Sequence, residues 1–259
     1  MSYHTSFYKF YLNDPMTMDK MTLKYKDIST AYPGIGFSLP FEDMVKYSFD
    51  QDSYNAGKNP LKSRHGEIRF GGSIRAQLLN FTKENTPERI NQRPDEEERR
   101  LNVSFDSNYP LPIHVHEDRG LGHRLIPFLE IVVKHSNPFF GFLMDEADYD
   151  FFANTPITPK GLDVISGLFT SYHSNWGSLY VDTDLAGSIG SDVLDHWAEL
   201  RVDIGGIGLF IERGGVPLSG SIVEDDRSLH ELRNDLFARE MYPKIIARLR
   251  SEYGYSMNE

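Results

Sequence analysis

The chain has 259 residues, of which 39% are hydrophobic and 13% aromatic, so it can bury a substantial core. It contains no cysteine, which excludes disulfides, thiolate zinc sites and cysteine nucleophiles. Its formal net charge of −11 disfavours binding to nucleic acid or to an anionic membrane.

The N-terminal residues show neither a basic region nor a long apolar run, so we expect no signal peptide. No stretch approaches eighteen uninterrupted apolar residues, the length that predicts a membrane-spanning helix. We therefore predict a cytoplasmic protein that does not enter the membrane.

The first third of the chain is predicted to mix strands, a helix and loops. Aromatic residues over 7–12 predict a strand, and weak alternation over 21–28 predicts its hairpin partner. A short helix is expected at 41–47, and the polar segment 48–64 is interpreted as a loop. The segment 74–81 is compatible with either a helix or a strand.

The segment 84–100 has the composition of a linker. Pro87 and Pro94 interrupt a mixed run of charges, which is typical of a solvated loop, a contact arm or a domain boundary. We predict one α+β domain over 1–259, with a subdomain boundary near 84–100 as the alternative. The expected architecture is a mixed or antiparallel sheet with packed helices.

The middle of the chain gives the clearest periodicity. Alternating apolar residues predict a strand at 101–105, and apolar residues at helical spacing over 125–133 predict a helix that ends before Asn137. A buried strand is expected at 139–144. Thr158 followed by proline predicts the start of a helix over 159–172.

The last third is predicted to hold a hairpin and a long helix. A strand is expected at 178–181 and a short helix at 191–197. Apolar alternation over 200–211 predicts either a hairpin or one long strand with a glycine bulge. A capping box opens a helix over 229–251, which Pro243 should kink or divide.

Negative charge is concentrated between residues 141 and 212. This stretch has twelve acidic residues against two basic ones, a net charge of −10. An acidic face of this kind steers a basic protein partner toward it. Because both predicted strands 139–144 and 178–181 run into acidic residues, the two strand ends put these clusters at equivalent corners, so the clusters could lie side by side if the strands are neighbours. The predicted partner-binding residues are Asp145, Glu146, Asp148, Tyr149, Asp150, Asp182, Asp184, Asp192 and Asp195.

Catalytic and metal motifs are weak in this sequence. His114 and His116 alternate as zinc ligands on a strand do, which gives the alternative hypothesis of a metal-dependent hydrolase. The acidic run 145–150 lacks the glycine and the final glutamate of a calcium loop. Glycines at 205–208 are interpreted as a turn, since no lysine follows as in a phosphate loop. We therefore assign no catalytic residue, metal or cofactor, and an adaptor role remains a third hypothesis.

The C-terminal half resembles a known group of proteins. The segment 176–181 (Trp-Gly-Ser-Leu-Tyr-Val), an acidic connection, the segment 205–211 (Gly-Gly-Ile-Gly-Leu-Phe-Ile) and the terminal amphipathic helix resemble immunity proteins of bacterial polymorphic toxin systems, in particular the immunity protein 52 family. Members of that family accompany toxins with a restriction-endonuclease-like nuclease domain. The resemblance implies a cytoplasmic α+β protein that binds and blocks a cognate secreted toxin.

Overall fold

A computed structural model provides the structure of the protein. The residues that it describes are 4–32, 36–37, 39–63, 68–69, 75–79, 99–107, 122–145, 178–198, 200–212 and 231–253. The chain divides into two compact units, Met1–Pro138 and Phe139–Glu259. Most of the predicted boundary at 84–100 lies outside the described residues, so that boundary stays a prediction.

The first unit contains an antiparallel sheet. Its described strands are β1 (His4–Leu12), β2 (Gly36–Phe37), β3 (Ile68–Arg69), β4 (Arg75–Leu79) and β5 (Arg100–Ser107). They are ordered β2-β3-β4-β5-β1. Phe10 lies opposite Leu101, and Leu78 lies opposite Val103; all four side chains are fully buried. The strands predicted at 7–12 and 101–105 are therefore confirmed.

The helix α1 (Met18–Ala31) occupies the segment where a hairpin strand was predicted, so that prediction is wrong. Thr17 caps the helix, because its Oγ1 accepts a hydrogen bond from the N–H of Lys20 at 3.2 Å. Met21, Tyr25 and Ile28 lie one turn apart on a single helical face and are fully buried. The period of this segment is helical.

Two further helices follow in the first unit, α2 (Phe41–Phe49) and α3 (Gln51–Asn55), and a 3₁₀ turn spans Pro60–Ser63. The short helix predicted at 41–47 is confirmed, whereas the loop predicted at 48–64 is wrong. The buried amide of Asn59 orders this region. It donates to the carbonyl of Tyr47 at 2.9 Å, and its own oxygen accepts from the N–H of Leu61 at 2.9 Å.

The helix α4 (Gly122–Ser136) confirms the helix predicted over 125–133. It packs against α1 and buries Phe128, Leu129, Val132 and Val133. It ends at Asn137, whose φ of 50° is left-handed and whose backbone N–H still donates to Val133.

The second unit also contains an antiparallel sheet, whose described strands are β6 (Pro138–Asp145, with Pro138 at the boundary between the units), β7 (Ser178–Asp182), β8 (Leu200–Asp203) and β9 (Gly208–Glu212). Their order is β6-β7-β9-β8. Two short helices, α5 (Thr183–Ile189) and α6 (Ser191–Trp197), lie between β7 and β8 in sequence. The strands predicted at 139–144 and 178–181 and the helix predicted at 191–197 are confirmed, and 200–211 is a hairpin.

The C-terminal helix α7 begins with residues 231–236, passes through a π-helical turn at Phe237–Met241 and continues over Tyr242–Tyr253. In the π turn the N–H of Tyr242 donates to the carbonyl of Phe237. Pro243 follows immediately and has no N–H to donate, so one hydrogen bond of the regular helix cannot form there. The wider π turn accommodates this loss, and the helix continues. The predicted helix is confirmed from 231 onward, and its predicted start lies outside the described residues, as does the predicted helix 159–172.

The chain is an α+β protein, as the sequence predicts, and the described strand pairs within each unit are antiparallel. None of the helices within the described ranges is long and apolar enough to cross a lipid bilayer.

Candidate functional site

The second unit carries a surface built from two short helices and one hairpin. β7 ends at Asp182, whose Oδ1 accepts a hydrogen bond from the N–H of Leu185 at 2.7 Å and so caps α5. α5 ends at Gly190, which has a φ of 96° that L side chains rarely adopt. Because α6 begins at the next residue, Gly190 sets the turn between the helices.

The hairpin between β8 and β9 is tied to the start of α5. Gly205 and Gly206 have φ values of 57° and 75°, and the Oδ1 of Asp203 accepts from the N–H of Gly206 at 2.9 Å. The hydroxyl of Thr183 donates to the carbonyl of Ile207 at 2.9 Å. These bonds hold the hairpin loop beside the first turn of α5.

A groove of about 510 Å³ lies between these elements. The residues that line it are mostly small. They are Thr183, Ala186, Gly187, Gly190, Ser191, Leu194, Arg201, Asp203, Gly206, Gly208 and Leu209. The sequence analysis did not predict this groove; the small residues Ala186, Gly187, Gly190 and Ser191 that line it were the available signal. The groove has room for a side chain of a bound molecule.

Three of the predicted partner-binding residues are exposed on this surface. Asp184 lies in the first turn of α5 and Asp192 in the first turn of α6. Neither carboxylate pairs with a cationic side chain of the described residues. Asp195 pairs with Arg201, whose Nη1 lies 2.6 Å from its Oδ1, and Arg201 is the one Lys or Arg between 178 and 212 in the sequence. Lys244 also reaches α5, where its Nζ donates to the carbonyl of Ile189 at 3.1 Å. The described acidic residues of this surface still outnumber its cations.

The fourth residue, Asp182, is only 8% exposed. Its carboxylate caps α5, so Asp182 stabilises the helix that carries Asp184. Burial raises the pKa of the Tyr180 hydroxyl, and the negative charge of Asp182 raises that pKa further. Tyr180 therefore stays protonated at physiological pH.

The acidic residue Asp145 lies far from Asp182. β6 and β7 are neighbours, with Phe140 opposite Val181 and Leu143 opposite Ser178, but they run antiparallel. The carboxyl ends of the two strands therefore lie at opposite ends of the strand pair. At roughly 3.4 Å per residue, Asp145 and Asp182 are about 20 Å apart along the strands. The expectation that the two strands end at equivalent corners is therefore wrong for Asp145 and Asp182. The other predicted residues of the first cluster, Glu146, Asp148, Tyr149 and Asp150, lie outside the described residues.

The first unit contains a pair that matches the residue types of a Ser–Lys catalytic dyad. The Nζ of Lys24 lies 2.6 Å from the Oγ of Ser136 and 3.7 Å from the Sδ of Met16. Burial, and then the charge of Lys20, hold the pKa of Lys24 well below its usual value. However, Lys24 and Ser136 are both fully buried, and the Ser136 hydroxyl donates to the carbonyl of Val132 at 2.6 Å. Since no substrate reaches this hydroxyl, the pair is structural.

Metal binding has no support in the part of the chain that the structure describes, where no three His, Asp or Glu side chains converge. His114 and His116 lie outside that part, so the hydrolase hypothesis stays untested. No protein-family model matches the chain, and no curated protein matches it in sequence.

Proposed function

We propose that this protein is an immunity protein that binds and neutralises a cognate secreted bacterial toxin in the cytoplasm. The main observation in favour of this function is the acidic surface of α5 and α6, where Asp184 and Asp192 are exposed without a cationic partner among the described residues. The sequence resemblance of the C-terminal half to immunity proteins supports the same function.

The charge of this surface suits a partner whose own function requires positive charge. A nuclease holds the phosphates of its substrate in a basic groove, and carboxylates placed against that groove exclude nucleic acid. Exposed carboxylates act mainly on the rate of association, because long-range attraction steers the partner before contact. A nuclease is therefore the favoured class of toxin.

The first test uses the protein encoded beside this gene, expressed with and without the present chain. We expect the neighbour to arrest growth alone, and co-expression to restore growth. Purified proteins should associate roughly tenfold more slowly at 500 mM than at 50 mM salt, because salt screens exposed charges. A neighbour that is harmless, or that does not bind at any salt concentration, contradicts the proposal.

The second test separates the acidic face from general acidity. Asp184→Lys with Asp192→Lys places cations in the first turns of α5 and α6. The matched control is Glu42→Lys with Asp43→Lys, which makes the same change in the exposed first turn of α2. Both pairs should lose similar helix-dipole stability, about 0.3–1 kcal/mol per residue. Only the α5–α6 pair should slow toxin association; equal effects of both pairs would mean that the acidic face is not the binding surface.

A further inference from the structure

The strand β8 forms an open edge of the sheet in the second unit. It pairs with β9 on one side, and no other described strand lies on its second side. Arg201 and Asp203 are exposed, and Val202 is half-buried. Proteins often protect such edges with proline or a β-bulge. β8 contains neither, although it is only four residues long and carries two charged side chains, and no described strand bonds to its outer backbone groups.

The register shows which backbone groups face outward. The N–H of Ile204 donates to the carbonyl of Gly208 at 2.9 Å, so Ile204 bonds toward β9. In an antiparallel pair alternate residues bond to the same neighbour, and Val202 therefore also bonds to β9. Arg201 and Asp203 direct their N–H and C=O groups away from β9, giving two donors and two acceptors at the open edge.

The two faces of β8 differ in chemistry. The side chains of Arg201 and Asp203 line the groove, where Arg201 is already paired with Asp195. Val202 lies on the opposite face, in register with the buried Phe210. A strand added beside β8 would place alternate side chains on these faces. Basic residues suit the groove face because Asp203 has no cationic partner there among the described residues, and apolar residues suit the Val202 face.

We propose that a basic, extended segment of a protein partner adds to β8 as a further strand. Its main chain bonds to Arg201 and Asp203, its Lys or Arg side chains enter the groove toward Asp203, and its alternate apolar side chains cover Val202. Main-chain bonds supply affinity in this mode of binding, and the alternating side chains supply specificity. The inference rests on the proposed function, since it specifies how a basic toxin contacts the acidic surface.

The probe is the blocked hexapeptide Lys-Val-Lys-Val-Lys-Val, titrated into the full chain labelled with ¹⁵N. We expect the amide signals of Arg201 and Asp203 to shift and their hydrogen exchange to slow, because these N–H groups acquire partners. The charge-reversed peptide Glu-Val-Glu-Val-Glu-Val should bind at least about fivefold more weakly. Equal binding of the two peptides, or shifts confined to other residues, overturns the inference.

A matched pair of variants tests the main-chain bonds. Arg201→Pro removes an outward N–H and leaves the bonds of Val202 to β9, whereas Arg201→Ala removes the side chain and keeps that N–H. Relative to Arg201→Ala, Arg201→Pro should weaken peptide binding by roughly fivefold, the loss expected for one hydrogen bond. Equal affinity of the two variants contradicts strand addition.

If Arg201→Pro does not fold, the same comparison is made on the peptide. N-methylation of the amides on one edge of the peptide should abolish binding to the wild-type chain, and N-methylation of the other edge should not. Loss with both methylated forms, or with neither, overturns the inference. Because the peptide experiment does not use the toxin, its failure is distinguishable from failure of the neighbouring protein to bind.

Discussion

The buried amine of Lys24 gives the sharpest prediction for stability. Lys24 is fully buried in the first unit, and its Nζ hydrogen-bonds to the Ser136 hydroxyl and the Met16 sulfur, with no ion pair to a carboxylate of the described residues. Neither neighbour carries a charge that compensates an ammonium ion. Desolvation therefore lowers the pKa of Lys24, with a smaller contribution from Lys20.

The sign of the pH dependence follows from this shift. In the unfolded chain Lys24 keeps a proton up to about pH 10.4, whereas in the folded chain it loses the proton at a lower pH. Between these two pKa values the unfolded state binds more protons, so the free energy of unfolding rises with pH. The slope reaches about 1.4 kcal/mol per pH unit where the folded amine is neutral and the unfolded amine is charged.

Lys24→Met removes the amine and keeps an unbranched side chain of similar length. The substitution recovers the desolvation cost of the polar group, about 1–3 kcal/mol, and the proton-release cost, and it loses one hydrogen bond worth about 1 kcal/mol. At pH 7 we expect the free energy of unfolding to be higher in the variant than in the wild type, by about 0–2 kcal/mol from the desolvation and hydrogen-bond terms and by a further amount from the proton-release cost. Lys24→Arg should instead lose about 3–5 kcal/mol, because a guanidinium cannot become neutral and stays charged in the core.

Urea unfolding at several pH values from 7 to 9 measures both effects. The advantage of Lys24→Met over the wild type should shrink as pH rises, by up to about 1.4 kcal/mol per unit. Higher pH is avoided because burial raises the pKa of Tyr25, so Tyr25 makes stability fall above pH 10. A constant difference between the two proteins from pH 7 to 9 would show that the folded amine remains charged and would refute the reasoning.

Two further predictions concern the second unit. Asp182→Ala should lower the free energy of unfolding by about 0.5–2 kcal/mol through loss of the α5 cap, and Asp182→Asn should lose much less because asparagine also caps; urea unfolding distinguishes them. Gly208→Ala places a Cβ 2.5 Å from the carbonyl oxygen of Val181 and against the Tyr180 hydroxyl, so it should cost about 1–3 kcal/mol. Its control, Gly187→Ala, meets nothing within 4 Å in the interior of α5 and should stabilise by about 1 kcal/mol, as thermal unfolding would show.

The same buried lysine explains why a helix was predicted as a strand. Over 21–28 the sequence alternates Leu23 and Tyr25 with lysines at 24 and 26, which has the period of a strand whose polar face meets water. In the structure Lys24 is buried and Leu23 is 49% exposed. The polarity of each side chain therefore predicts the opposite of its actual burial. The helical signal was the capping residue Thr17 and the spacing of Met21, Tyr25 and Ile28.

Long periodic segments were predictable because one local pattern determines them. α4 follows from apolar spacing, as do the shorter α6 and the strands of the second unit, whereas the pair Gly205–Gly206 left a hairpin and one long bulged strand as alternatives. The loop predicted at 48–64 failed because its helix is set by side-chain bonds. Asp50 caps α3 through the N–H of Ser53, and this bond holds the pKa of Asp50 below its usual value.

The arrangement of the candidate site needed information that local patterns lack. Each acidic cluster follows a strand in sequence, but only the pairing of β6 with β7 shows that these strands run in opposite directions. The position of β8 at an edge is likewise a property of strand order. Strand order arises from contacts distant in sequence, which periodicity within a single segment does not encode.

The individual acids of the surface show why net charge alone does not define a binding face. Asp182 caps a helix, Asp203 accepts a bond from the hairpin turn, and Asp195 is paired with an arginine. A partner that takes over the carboxylate of Asp182 or Asp195 must replace contacts that already stabilise the fold, which reduces the net gain. Asp184 and Asp192 can pair with a partner's cations without breaking an existing ion pair among the described residues. We therefore expect electrostatic steering to depend most on Asp184 and Asp192, and the outer backbone of β8 to supply contacts that persist at high salt.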